Sequence, residues 1–212
     1  MKALQRRLRG MVLGRAGVRE IWLIAYPLIV STASGTVMMF ADRMFLSHYS
    51  KEALAAATPA GITHFMCVSL FIGITGYVNS MVAQHYGAQR HGTCGAIAWQ
   101  GLYVSATGAA GLLLAAPFVA SLFGWAGHAP EVIILEKTYF RILIFGAVFF
   151  LGANTLSSFF SGLGRSRIVM VAHVCGMFLN VPLSFGLIFG VDRLHIPPLG
   201  IAGAGYGTIM AQ

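Results

Sequence analysis

The run from Ile21 to Ala41 holds 21 residues without an Asp, Glu, Lys, Arg or His, and the next residue is a carboxylate, Asp42. At about 1.5 Å of rise per residue such a run covers roughly 30 Å, the thickness of bilayer hydrocarbon. Further apolar runs of similar length follow it. Hydrophobic residues make up 57% of the chain and charged residues 9%, whereas about a quarter of a soluble domain is charged. The apolar runs are too long for strands and lack the ten-residue alternation of an outer-membrane barrel. Their backbone polar groups must therefore be satisfied within helices. The fold class is all-α, a polytopic membrane bundle of about six transmembrane helices.

The formal net charge of +8 does not mark a nucleic-acid surface, because the basic residues sort by membrane side. Lys2, Arg6, Arg7, Arg9, Arg15 and Arg19 precede the first span, Arg90 follows the second, and Arg165 and Arg167 follow the fourth. Lys51, Lys137 and Arg193 fall on the other side. The positive-inside rule then puts the amino terminus in the cytoplasm, with residues 1–19 as a basic lead and 20–212 as the membrane region. Cys67, Cys94 and Cys175 are odd in number and widely spaced. They read as packing residues and not as a disulfide framework.

Of the six acidic residues, Glu20, Glu52, Glu131, Glu136 and Asp192 lie at the ends of apolar runs. That leaves Asp42 as the acid able to face an interior cavity, and a carboxylate inside a membrane helix suggests a proton or cation site. The alternative is that Asp42 sits at the interface, paired with Arg43 or with water.

Span one, Glu20 to Leu46, contains Pro27, which tends to kink a helix. A short outer loop, Ser47 to Glu52, leads to span two, Ala53 to Gln84. Its alanines and glycines suit close helix packing, and its polar residues include His64, either a proton relay or a hydrogen-bonded packing residue. Span three runs from Cys94 to Phe123, with Trp99, Tyr103 and Trp125 as an aromatic belt. Arg141 precedes span four, Ile142 to Gly164, and either pairs with Asp42 or snorkels to water. Asn154 lies about halfway down that span. Span five, Ile168 to Val191, carries Asn180 and Ser184 one turn apart, around Pro182. They suit either an ion or interhelical hydrogen bonds. In the sixth apolar segment Gly203 and Gly207 form a GxxxG packing step, and the segment is too short to cross a membrane.

Four features carry a resemblance over roughly Glu20 to Gln212: Pro27 and Asp42 in the first helix, VAQHYGA ending the second, Asn180 before a proline in the fifth, and GIAGAGYGT ending in Thr208. In this order the chain resembles the amino-terminal half of the multidrug and toxic compound extrusion family of cation-coupled antiporters. The resemblance implies one six-helix lobe, its last helix truncated, of a twelve-helix transporter that alternates between inward-facing and outward-facing states. It implies export of organic cations and amphipathic drugs in exchange for protons or sodium, with no cofactor beyond the coupling ion. Membrane lipid and a second lobe are the implied partners, and a bacterial inner membrane the implied location.

The resemblance also implies a cation site at Asp42, Asn180, Ser184 and Thr208, with Na⁺ at Asp42, Asn180 and Thr208 as one option. Ser184 stands where such a site has a second aspartate, which favours protonation of Asp42 as the coupling event. Pro27 becomes a candidate bend, and Asn154, His64 and Arg141 are candidate cavity polar groups. Two other classes stay open: a flippase for lipid-linked oligosaccharides, expected to line its cavity with more basic residues, and a non-transporting membrane subunit. No serine, cysteine, metal or nucleotide constellation points to an enzyme.

Overall fold

The computed structural model describes residues 18–191 and 197–212. The basic lead lies outside the described residues except for Val18 and Arg19, as does Arg193 with most of the loop that carries it. The described chain forms α1 (Val18–Tyr49), α2 (Lys51–Gly87), α3 (His91–Leu122), α4 (Pro130–Phe145), α5 (Ala147–Gly162), α6 (Ser166–Phe189) and α7 (Ile201–Met210), with a 3-10 turn at Phe123–Trp125. Helices α1, α2, α3 and α6 are each long and apolar enough to cross a membrane. The pair α4 and α5, bent by 47° between them, is long and apolar enough for a fifth crossing when counted as one broken span. Beside these α7 is a ten-residue segment.

The helices run up and down in sequence, and their outer faces are apolar. Leu114, Phe118 and Trp125 are more than two-thirds exposed, which suits lipid and not water. Small residues set the packing inside. Ala53, Ala56, Ala57 and Ala60 of α2 are buried in the same core as Phe140 of α4, which meets Phe123 edge-on at 5.6 Å. A methyl added at Gly101 of α3 would come within 2.8 Å of both Thr155 of α5 and Val78 of α2. Polar ties cross the same layer. Ser105 Oγ lies 2.8 Å from Thr155 Oγ1 and 3.1 Å from the Leu151 carbonyl. Asn154 Nδ2 donates to Thr75 Oγ1 at 2.8 Å, so Asn154 joins α5 to α2.

Two expected boundaries are corrected. The outer loop Ser47 to Glu52 shrinks to Ser50, whose extended backbone breaks the helix and whose hydroxyl accepts the Ala53 amide at 2.9 Å as an N-cap. Span four does not begin at Ile142: its helix starts at Pro130 and breaks at Gly146. A side chain at Gly146 would collide with Ile209 of α7, so the bend falls where α7 presses against it. Arg141 is consequently an exposed residue within α4, and among the described residues it forms no ion pair with Asp42.

Helix α7 is fastened to α6. After α6 the chain turns back, and the Leu199 and Gly200 amides donate to the Leu187 and Ile188 carbonyls at 3.0 and 3.2 Å. Gly200 has φ +55, and a Cβ there would lie 2.5 Å from the Tyr49 ring, so both the conformation and the space call for glycine. Gly203 rests on the backbone at Leu187 and Gly207 on Ser184. The GxxxG step is a packing surface, as its spacing suggested.

Candidate functional site

Asp42 lies seven residues from the end of α1, about 10 Å into the bundle at the helical rise. Its carboxyl is buried, and the packing of α1 against α6 and of α7 against α6 decides its neighbours. From α7, Thr208 Oγ1 donates to Asp42 Oδ2 at 3.1 Å, with the Ala204 carbonyl as a second acceptor at 2.9 Å. From α6, Asn180 and Ser184, one turn apart and fully buried, flank the same carboxyl. Gly207 is what allows this approach, since a Cβ there would come within 2.6 Å of Ser184 Oγ. The structure thus brings together Asp42, Asn180, Ser184 and Thr208 from three helices.

The cluster is short of hydrogen bonds. Asp42 Oδ1, both polar atoms of the Asn180 amide and Ser184 Oγ are buried without a partner. Such atoms normally find partners, and each left alone costs about 1–3 kcal/mol. Here they surround one carboxylate, where a proton or a small cation would satisfy several at once. Asp42 Oδ1, the Asn180 carbonyl oxygen and Ser184 Oγ are the oxygens able to hold Na⁺, with Thr208 Oγ1 beside them. No group of three or more His, Cys, Asp or Glu side chains suited to a metal ion occurs among the described residues.

Arg43 forms no ion pair with Asp42 among the described residues. It turns the other way, donating to Thr58 Oγ1 at 3.0 Å with its second terminal nitrogen 3.2 Å from where a Gly61 Cβ would stand. The interfacial pairing weighed from the sequence is therefore not the arrangement found. Pro27 lies fifteen residues along α1, roughly 22 Å from Asp42, and α1 passes through it as a continuous helix. It borders a surface pocket with Trp22, Tyr26 and Arg167. His64 lies deeper along α2, edge-on to Phe150 at 6.0 Å, with a buried Nε2 that has no partner, so it is not held by the hydrogen bond expected of a packing histidine. Pro182 faces outward while Asn180 and Ser184 face in.

Two features escaped the sequence reading. Tyr139 of α4 is buried, its ring packed against α7 at Gly205. The signal was the inward stripe Glu136, Tyr139, Phe140 and Leu143, which follows helical spacing. Glu136, read as the end of an apolar run, is fully buried, so Asp42 is not the only acid facing the interior.

A family model described as MatE matches residues 27–185, a segment that includes Asp42, Tyr139, Asn180 and Ser184. A probable multidrug resistance protein NorM from Synechocystis is 27% identical over 204 residues, covering 93% of this chain and 42% of that protein. The multidrug resistance protein PmpM of Pseudomonas aeruginosa is 26% identical over 205 residues, covering 92% of this chain and 40% of its own length. The chain thus spans about two-fifths of the length of these relatives. Among solved structures, the outward-facing conformation of a multidrug resistance MATE family transporter superimposes with a TM-score of 0.81 at 24% identity. That match covers 91% of this chain and 42% of the other, and it bears on the fold alone.

Proposed function

Because this chain belongs to the MatE family, we propose that it forms the amino-terminal lobe of a multidrug efflux antiporter that exchanges organic cations for protons through Asp42. The observation that carries this reading is the buried carboxyl set among unpartnered polar atoms. A carboxylate so placed draws a cation, and it loses that attraction once protonated. Proton and cationic substrate then exclude one another, which is the linkage an antiporter needs. The donor set supports the proton over Na⁺, since a hard cation is best served by several charged oxygens and here only Asp42 is charged.

The chain is a multi-pass membrane protein. We place it in a bacterial inner membrane with its amino terminus cytoplasmic, on the distribution of basic residues. A second lobe would complete the transport path, in keeping with relatives more than twice as long. The flippase alternative calls for a basic cavity, yet Arg43 is engaged with Thr58 and Arg141 is exposed.

The test uses the chain alone in detergent. Adding tetraphenylphosphonium at mildly acidic pH should release protons, read with an indicator dye, and Asp42→Asn should abolish that release while the protein still folds. Undiminished, proton-releasing binding in Asp42→Asn would overturn the assignment.

A further inference from the structure

Helices α1 and α6 begin at the same end of the bundle, and between their initial turns lies a pocket of about 420 Å³. On α1 it is lined by Trp22, Leu23, Tyr26 and Pro27, two pairs at i, i+4 that share one side of the helix, and on α6 by Arg167 and Met170, three residues apart. Trp22 stands four residues, about 6 Å, from the start of α1, and Arg167 is the second residue of α6. The pocket therefore sits at the membrane boundary, on the side that the basic residues assign to the cytoplasm.

Its chemistry is divided. The Trp22 and Tyr26 rings are each more than half exposed and offer apolar faces with one polar tip apiece, the pattern of side chains at headgroup level. Arg167 is exposed and forms no ion pair among the described residues. Pro27 has no amide hydrogen, so the carbonyl of Leu23, one turn earlier and on the same pocket wall, lacks its helical donor. An occupant that suits all three brings a negative charge, a hydrogen-bond donor and apolar chains. The segment before α1 does not match: residues 1–17 include Lys2, Arg6, Arg7, Arg9 and Arg15 and no acid, so they would meet Arg167 with like charge.

We propose that this pocket binds one anionic phospholipid of the cytoplasmic leaflet. The phosphate pairs with the Arg167 guanidinium, whose planar fork suits phosphate oxygens. A headgroup hydroxyl, such as that of phosphatidylglycerol, donates to the free Leu23 carbonyl, and the acyl chains lie along Trp22, Tyr26 and Met170. A basic pocket between membrane helices on this side is a setting in which anionic headgroups are recognised. The site needs only that the chain spans a membrane and is independent of the role of Asp42.

The test uses the full chain in detergent with Trp99→Phe and Trp125→Phe, which leaves Trp22 as the one indole of the three. It is titrated with phosphatidylglycerol or phosphatidylcholine carrying the same brominated acyl chains, which quench an indole on contact. Phosphatidylglycerol should quench at a concentration lower by about tenfold or more, the effect of one hydrogen bond to a charged group. Arg167→Gln should abolish that preference, Arg167→Lys should keep part of it, and Arg90→Gln, on the same membrane side but outside the pocket, should leave it intact. Equal quenching by the two lipids in the wild type overturns the site, as does a preference that survives Arg167→Gln or is lost equally in Arg90→Gln, which would reflect general surface charge. Absence of quenching by either lipid means that another part of the protein fills the pocket, and also overturns it. Tenfold tighter binding in Glu20→Gln would show Arg167 already spent on that carboxylate, with the same consequence.

Discussion

Thr208 and Asp42, 166 residues apart in sequence, are joined by a hydrogen bond of 3.1 Å from the threonine hydroxyl to the carboxyl. This is the one side-chain bond that Asp42 makes among the described residues, and its removal gives the first expected outcome. Thr208→Ala should lower stability by about 1.5–3 kcal/mol, the range for a hydrogen bond to a charged group. Thr208→Ser, which keeps the hydroxyl, should fall within about 0.5 kcal/mol of the wild type. Thermal melts in detergent at neutral pH check both.

Ser184 sets the ion preference in the proposed mechanism. Ser184→Asp would place a second carboxylate beside Asp42, and two like charges this close favour either a shared proton or a cation between them. Sodium should then raise the melting temperature of Ser184→Asp relative to choline at the same ionic strength, while the wild type responds equally to both salts. Equal responses in the two proteins would count against Ser184 as the determinant.

Gly207 permits the α6–α7 contact that frames the site. Gly207→Leu would drive a side chain into Ser184 and part the two helices, with an expected loss of about 2 kcal/mol or more, typical of overpacking. Gly35→Ala on α1 is the control, since a Cβ there meets nothing within 4 Å and should leave the melting temperature unchanged or slightly higher.

The spans were legible because crossing hydrocarbon demands long uncharged runs, and α1, α2, α3 and α6 are such runs. The break at Gly146 was not, because it depends on Ile209 pressing from a distant part of the sequence. Asp42 stood out by its isolation, and Asn180 with Ser184 by their one-turn spacing. Thr208 came only through family resemblance, since a threonine in a glycine-rich segment has no distinguishing chemistry of its own. Glu136 beside Lys137 looked like the wet end of a helix. Its burial follows from a helix that starts six residues earlier, at Pro130, and from His128 folding back onto it.

The fastening of α7 to α6, by two backbone hydrogen bonds at one end and glycine contacts along its length, makes a stiff pair within the lobe. Two helices so joined shift as one lever, because sliding either against the other would break bonds at Leu199 and Gly200 and jam backbone against backbone at Gly203. Asn180, Ser184 and Thr208 therefore travel together, and Asp42 reaches them from α1, which packs along α6. In the proposed mechanism a proton on Asp42 would weaken its hydrogen bond to Thr208 while the aromatic contacts of Phe45 and Tyr49 with α6 stay in place, so the tilt of α7 against α1 becomes the coordinate along which chemistry turns into motion.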